Sequence, residues 1–295
     1  MSSISIETKK ATELEVLSKL TDDSILIVHD GTGLKQVTFA TVKAKAVEDT
    51  EAKIAPLLFN NAGAHNGIYR GKSLGSTVTN AQYAAIASGT FEDLYIGDYW
   101  TIDGVNYRIA AFDYYLNNGD SNTTAHHVVI VPDTPLYYAK MNDTNVTSGG
   151  YVGSAMYTAN LEQAKTTIKN AFSGHVLKHR IYLTNTVANG APSGGAWCDS
   201  EVDLMTERMV YGNPVFSPMS DGQKDDPWSA MHNYTVEKSQ LPLFQHEPSR
   251  ISNRQDWWLR DVTSPSRFAA VLSNGSAHCN VASDFIGVRP VFCIS

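Results

Sequence analysis

Apolar and polar positions change their period several times along this chain, and each change predicts an element. In residues 11–20, Leu14, Val16 and Leu17 sit among Glu13, Glu15 and Lys19, a short helical pattern. Residues 24–28 form a continuous β-rich run. Asp30-Gly31 and Gly33 then supply turn chemistry, and residues 34–39 alternate, so a hairpin is predicted. Residues 41–58 carry Val42, Ala46 and Ile54 among charges and predict a helix stopped near Pro56. Residues 79–88 predict a helix with Thr79 as N-cap and Gly89 just past its end. Asp103-Gly104 between two β-rich runs, 98–102 and 105–110, predicts a second hairpin. Residues 126–131 read as a buried strand ended by Pro132. Residues 160–172 read as an amphipathic helix with Leu161, Ala164, Ile168 and Phe172 on one face. Residues 179–184 and 202–209 are shorter elements, and 213–246, dense in Pro, Gly, Asp and Ser, predict long loops. No repeat of about 20–50 residues is present. The pattern as a whole is α+β with many short strands.

Composition shifts near residue 66 toward Gly, Asn, Ser, Thr and Tyr. Residues 1–65 are too few to bury much core and are expected to oligomerise or to dock on something larger; residues 66–295 form the main domain. Only 18% of the residues are charged, against about 25% in an average domain. The net charge is -7 and no Lys/Arg run supplies a phosphate footprint, which argues against a nucleic-acid partner. No apolar run approaches the roughly 18–20 residues of a membrane span. Residues 1–11 lack the apolar stretch of a secretory signal. Cys198, Cys279 and Cys293 have no CxxC spacing, so neither a disulfide scaffold nor a zinc knuckle is expected.

Candidate chemistry is sparse. His175 and His179 have a spacing that places two imidazoles on one helix face for a metal, but no Glu follows His175, and helix-end histidines are the ordinary reading. His126 and His127, in a strand, point to opposite faces. Asp203 and Glu207 stand four apart on a predicted helix, either as a carboxylate pair for acid/base work or as a solvated helix face. Asp225-Asp226 is one acidic dipeptide where calcium wants six to eight oxygens. Cys279 and Cys293 are flanked only by His278 and Arg289 as groups able to stabilise a thiolate. The sequons at Asn122, Asn142, Asn145, Asn233 and Asn274 read as products of an Asn/Thr-rich composition. There is no GxSxG, P-loop or GxGxxG motif, so no enzyme activity and no cofactor are expected.

The C-terminal stretch is the informative part. Trp257-Trp258-Leu259-Arg260-Asp261 opens it and Gly287-Val288-Arg289-Pro290-Val291-Phe292 nearly closes it. The first reads as a rigid frame. Residues 288–292 read as a final core strand, with Arg289 placed to pair a carboxylate. These flanks resemble the C-terminal signature of C-type-lectin-like domains in phage and bacterial surface proteins: a WLR element, a polar variable stretch, then GVRP and an apolar end. The resemblance extends, less specifically, over residues 66–295. It implies that 257–295 is a variable region written by a diversity-generating retroelement, which mutates template adenines. An Asn codon so randomised cannot reach Lys, Glu, Gln, Met or Trp. Those types supply 44 of the 295 residues, yet none occurs after Trp258. At their overall frequency, so long a run without them is expected about a few times in a thousand. Residues 262–295 contain only Arg267, Asp284 and Arg289 as charged groups.

By this resemblance the scaffold is Trp257, Trp258, Leu259, Arg260, Gly287, Val288, Arg289, Pro290 and Phe292. The ligand-facing candidates are Ser264, Ser266, Arg267, Ala270, Leu272, Ser273, Asn274, Ser276, His278, Cys279, Asn280, Val281, Ser283, Asp284, Phe285 and Ile286. Arg267, His278 and Phe285 would anchor a partner, with Ser and Asn giving adaptable hydrogen bonds. The implied protein is a phage virion component, of tail-fibre or head-fibre type, that binds a host-cell surface protein or glycan. Residues 1–65 resemble the attachment modules of fibre proteins and would meet other virion proteins; a homotrimer follows by analogy. Two rivals remain: a decoration protein without a receptor, and a formylglycine-generating oxidoreductase, whose paired-cysteine copper site the Cys279 and Cys293 surroundings do not match. No EPN- or QPD-like motif for calcium-dependent sugar binding is present.

Overall fold

In the computed structural model, β1 (Ile25–His29) and β2 (Leu34–Thr38) pair antiparallel, with Ile25 opposite Thr38 and His29 opposite Leu34. Gly31, at φ 88°, permits the turn between them. Helix α1 (Phe39–Ile54) follows, with Lys45 paired to Glu48 and Asp49 one turn on. The structure describes residues 21–29, 31–54, 60–217 and 239–295. The helix expected over 11–20, the Asp225-Asp226 pair and Asn233 lie outside the described residues. Contacts divide the chain into two units, Met1–Phe59 and Asn60–Ser295. No described side chain of residues 21–49 is fully buried, and Ile25, Ile27 and Leu34 are exposed, as expected of a segment too small for its own core.

The second unit begins before α2 (Ala62–Asn66) rather than after residue 65. The reason is His65. Its ring is buried against Tyr95, Phe91 and Phe112, and its Nδ1 lies 2.5 Å from the Leu94 carbonyl oxygen. Helix α3 (Asn80–Ala87) has the expected cap. The Gln82 amide N–H donates to Thr79 Oγ1 and the Thr79 N–H donates to Gln82 Oε1, a reciprocal capping box. Asp103 (φ 50°) and Gly104 (φ 78°) make the predicted tight turn between β3 (Tyr99–Ile102) and β4 (Val105–Phe112).

Two five-stranded sheets carry the unit. The first has the order β3-β4-β5-β14-β9, with β5 (Val128–Pro132), β9 (Val202–Leu204) and β14 (Pro290–Ile294). Strands β5 and β14 are buried along their whole length, which is why both read as continuous apolar runs. The second has the order β12-β11-β10-β13-β6. It contains β6 (Tyr137–Ala139), β10 (Trp257–Ser264), β11 (Arg267–Val271), β12 (Ala277–Val281) and β13 (Ile286–Val288). Two short links, residues 133–136 and Arg289, carry the chain directly from one sheet to the other. The two crossings are tied together: the Leu136 N–H donates to the Val288 carbonyl and Arg289 Nε donates to the Pro132 carbonyl.

Helix α4 (Glu162–Ala171) follows one π-helical turn, Met156–Asn160. Its predicted face is right: Leu161, Ala164, Ile168 and Phe172 have no exposed surface. Phe172 meets Trp100, Tyr107 and Phe292 edge-on at the centre of the core. Residues 202–209 are two elements, β9 and then α5 (Glu207–Tyr211), capped by Thr206. Within the expected loop 213–246 lies a short helix, Pro242–His246. The residues 179–184 are the start of a longer hairpin, β7 (His179–Ala188) with β8 (Ala191–Ser200), turned by Asn189 and Gly190 at φ 52° and 79°. Asn189-Gly190 is itself a strong hairpin signal, masked by a β8 sequence rich in Gly and Ser.

Candidate ligand-binding surface

The frame of the C-terminal stretch is built as expected at most positions. Trp257, Trp258 and Leu259 are fully buried in β10, and the Trp258 indole N–H donates to the Ala139 carbonyl at 2.9 Å. Trp257 pairs in parallel with Gly287 of β13. A Cβ at Gly287 would lie 2.5 Å from Pro135 Cγ, so only glycine fits there. Two expectations need correction. Residues 288–292 are not one strand: they end β13 and begin β14, in different sheets. Arg289, at the switch, is fully buried and pairs no carboxylate among the described residues. Its guanidinium is held by the Pro132 carbonyl and stacked 4.8 Å from the Trp257 ring centroid and 5.6 Å from that of Phe244. Burial pushes its pKa down to about 10, against the attraction of Asp133, whose own carboxylate is taken by Arg108.

Around this frame, β11 and β12 form an antiparallel hairpin at one edge of the sheet, with Arg267 opposite Val281 and Ala270 opposite His278. Arg267, Ser273, Asn274, Ser276 and Phe285 are exposed; Ser264, Ser266, Leu272, His278, Cys279, Asn280, Val281, Ser283 and Asp284 are half-buried. Ala270 and Ile286 are different. Ala270 has no exposed surface and Ile286 has 9%, because each points into the core from its strand; neither faces solvent. Several residues of this surface are fixed by hydrogen bonds. Arg267 Nη1 donates to the Cys279 carbonyl, Asn274 Oδ1 accepts from the Ser276 N–H, and the Ser283 N–H donates to Asn145 Oδ1. The β7–β8 turn comes so close that a Cβ on Gly190 would stand 2.6 Å from Pro265 Cδ.

Two residues outside the C-terminal stretch shape this surface. Tyr138, in edge strand β6, stacks with Phe285 at a centroid distance of 6.1 Å. Glu207, fully buried, accepts from the N–H groups of Val215, Phe216 and Ser217 and from Ser217 Oγ, and Phe216 in turn meets the His278 ring edge-on. No local signal announces the two ring contacts, because each joins segments far apart in sequence.

The other candidates separate. Asp203 lies in β9 and Glu207 in α5, so they share no helix, and both are buried rather than solvated. Asp203 accepts from Tyr151 Oη and Ser200 Oγ, and burial raises its pKa. His175 and His179 flank an extended segment. His175 stacks on Tyr83 and is exposed, while His179 is buried against Tyr115. His127 is buried, with Nε2 accepting from the Tyr115 N–H, and half-exposed His126 contacts Asp113. Burial lowers the pKa of His127 and takes that of His179 to about 4. Cys279 in β12 and Cys293 in β14 belong to different sheets, and none of the three cysteines is in a disulfide. No group of three or more metal-binding side chains occurs among the described residues. Comparison with protein-family models, with curated proteins and with solved structures finds no match to this chain.

Proposed function

We propose that the second unit is a C-type-lectin-like domain of a phage virion protein, and that it binds a host-cell surface ligand through its C-terminal stretch. The observation that carries this reading is a separation. All nine positions assigned to the frame are buried, whereas fourteen of the sixteen assigned to the ligand surface keep solvent-accessible area. A buried frame with replaceable residues outside it is what a diversified binding face requires. Substitution outside a packed core changes contacts with a partner at little cost to folding. The exposed ring of Phe285, stacked on exposed Tyr138, supports the same reading, since contiguous apolar surface left in water marks an interaction site. Residues 1–65 join copies, as a homotrimer, and attach them to the particle; the exposed Ile25, Ile27 and Leu34 suit such a contact.

The test is an exchange of surface residues in phage. Replacing Arg267, Asn274, Ser276 and Phe285 together should change the hosts adsorbed while the purified protein keeps its thermal unfolding midpoint. An unchanged host range, with the protein folded and present on the particle, refutes the proposal.

A further inference from the structure

A groove beside β6 gathers side chains that the fold itself does not use. Its volume is about 370 Å³, and Tyr138, Lys140, Asp143, Asn160, Gln163 and Phe285 line it. The two rings come together through the sheet. Tyr138 pairs with Gly287, so Phe285, two residues earlier, is its diagonal neighbour on the same face. Their planes are within 26° of each other, and the residues are 43% and 66% exposed. They form one aromatic pair open to water.

The polar lining is equally uncommitted. Lys140 Nζ, the Asp143 carboxylate and the Gln163 amide make no hydrogen bond or ion pair with any described residue. Asn160 Nδ2 donates to the Lys140 carbonyl at 2.8 Å, which leaves its Oδ1 as an acceptor. Tyr137 Oη donates to the Asn160 carbonyl, so the wall from β6 and the wall from the π turn are fixed to each other. The groove is therefore preformed, which lowers the ordering cost of a ligand.

The chemistry selects a ligand class. One cation, one anion and two amides give no net charge and both donors and acceptors, which disfavours a phosphate or a carboxylate ligand. An exposed aromatic ring face matches the C–H face of a sugar ring. Addition of a peptide strand to the β6 edge is disfavoured, because the Ala139 and Lys140 carbonyls already accept from Trp258 and Asn160. The volume lies in the ordinary range for small-ligand sites, roughly 300–1,000 Å³. We propose that this groove binds a neutral pyranose, packed against the Tyr138–Phe285 pair, with its hydroxyls held by Lys140, Asp143, Asn160 and Gln163. Phe285 comes from the C-terminal stretch and the other residues from outside it, so a fixed wall meets one exchangeable ring. The use of the sugar in attachment rests on the function proposed above; the sugar site rests on the groove alone.

The test is saturation-transfer NMR on the full chain with methyl glucopyranoside, methyl galactopyranoside and N-acetylglucosamine, followed by an array of neutral oligosaccharides. At least one sugar should bind. Tyr138→Ala and Phe285→Ala should each weaken it by roughly three- to tenfold. Glu92→Ala and Thr124→Ala, at exposed positions outside the groove, should leave it unchanged, and all four variants should unfold at the wild-type temperature. No sugar bound by the folded protein, or binding indifferent to Tyr138→Ala, overturns the inference even where host adsorption persists. Adsorption lost in Tyr138→Ala but resistant to periodate treatment of the cells assigns the groove to a protein ligand and likewise overturns it. Sugar binding without adsorption to any host leaves the groove intact and refutes the attachment reading instead.

Discussion

The guanidinium of Arg289 stacks on Trp257 at 4.8 Å, and through this contact the last crossing between the two sheets is packed against the first strand of the C-terminal stretch. The two ends of a charge-poor segment are thus locked to each other and to the core. Arg289→Ala would remove the stack, open a cavity and leave the Pro132 carbonyl without its donor. A loss of roughly 3 kcal/mol is expected, read by urea denaturation. A stability within about 0.5 kcal/mol of wild type would mean that the arginine does not hold the crossing.

Surface and frame should respond differently to the same chemical change. Asn274→Ala and Ser276→Ala, at exposed positions, are expected to shift stability by no more than about 0.5 kcal/mol. Ala270→Asn places an amide where no surface is exposed and should cost roughly 2 kcal/mol or more. Thermal unfolding of the three variants in parallel checks this. Equal effects at Ala270 and Asn274 would contradict the partition between core and surface.

Glu207 acts as a clamp. Glu207→Ala would leave the N–H groups of Val215, Phe216 and Ser217 without their acceptor. Their amide hydrogen exchange should speed up by at least about tenfold, with a stability loss of roughly 2–4 kcal/mol. The His278 resonance should shift as well, because Phe216 carries the change to it. Exchange at 215–217 equal to wild type would show the carboxylate to be dispensable.

Acid sensitivity should come from His179. Its pKa is near 4 in the folded chain and about 6.5 ordinarily, so the unfolded state takes up the proton first as pH falls. The stability it contributes is complete above about pH 6.5 and is lost progressively as pH drops through 4, by about 3 kcal/mol in total. His127, lowered by burial too, adds to the same trend. His179→Phe keeps a ring against Tyr115 and should flatten the decline in unfolding midpoint between pH 6.5 and 4. The same slope in variant and wild type would exclude His179 as its source.

The candidate surface was readable in sequence where a position's burial follows from the frame motif, as at Trp257, Trp258 and Phe292. It was not readable at Ala270 or Ile286, whose residue types suit either a core or a surface, so that only the direction of the strand separates them. Asp203 and Glu207 were misplaced on one helix because a four-residue spacing cannot reveal that a strand ends between them. His175 and His179 failed in the same way, since the segment between them is extended.

Sequence alone determined the local elements whose free energy is local: the Thr79 capping box, the Asp103-Gly104 turn and the single apolar face of α4. Each needs only neighbours within a few residues, and each is where the pattern put it. Tertiary structure decided what depends on distant partners. It set the exchange of sheets at Arg289, the pairing of β6 with β13 that brings Tyr138 to Phe285, and the contact of Phe216 with His278. Those contacts are chosen by how buried strands pack and by which polar groups must find a partner once water is excluded, and no short window of sequence contains that information.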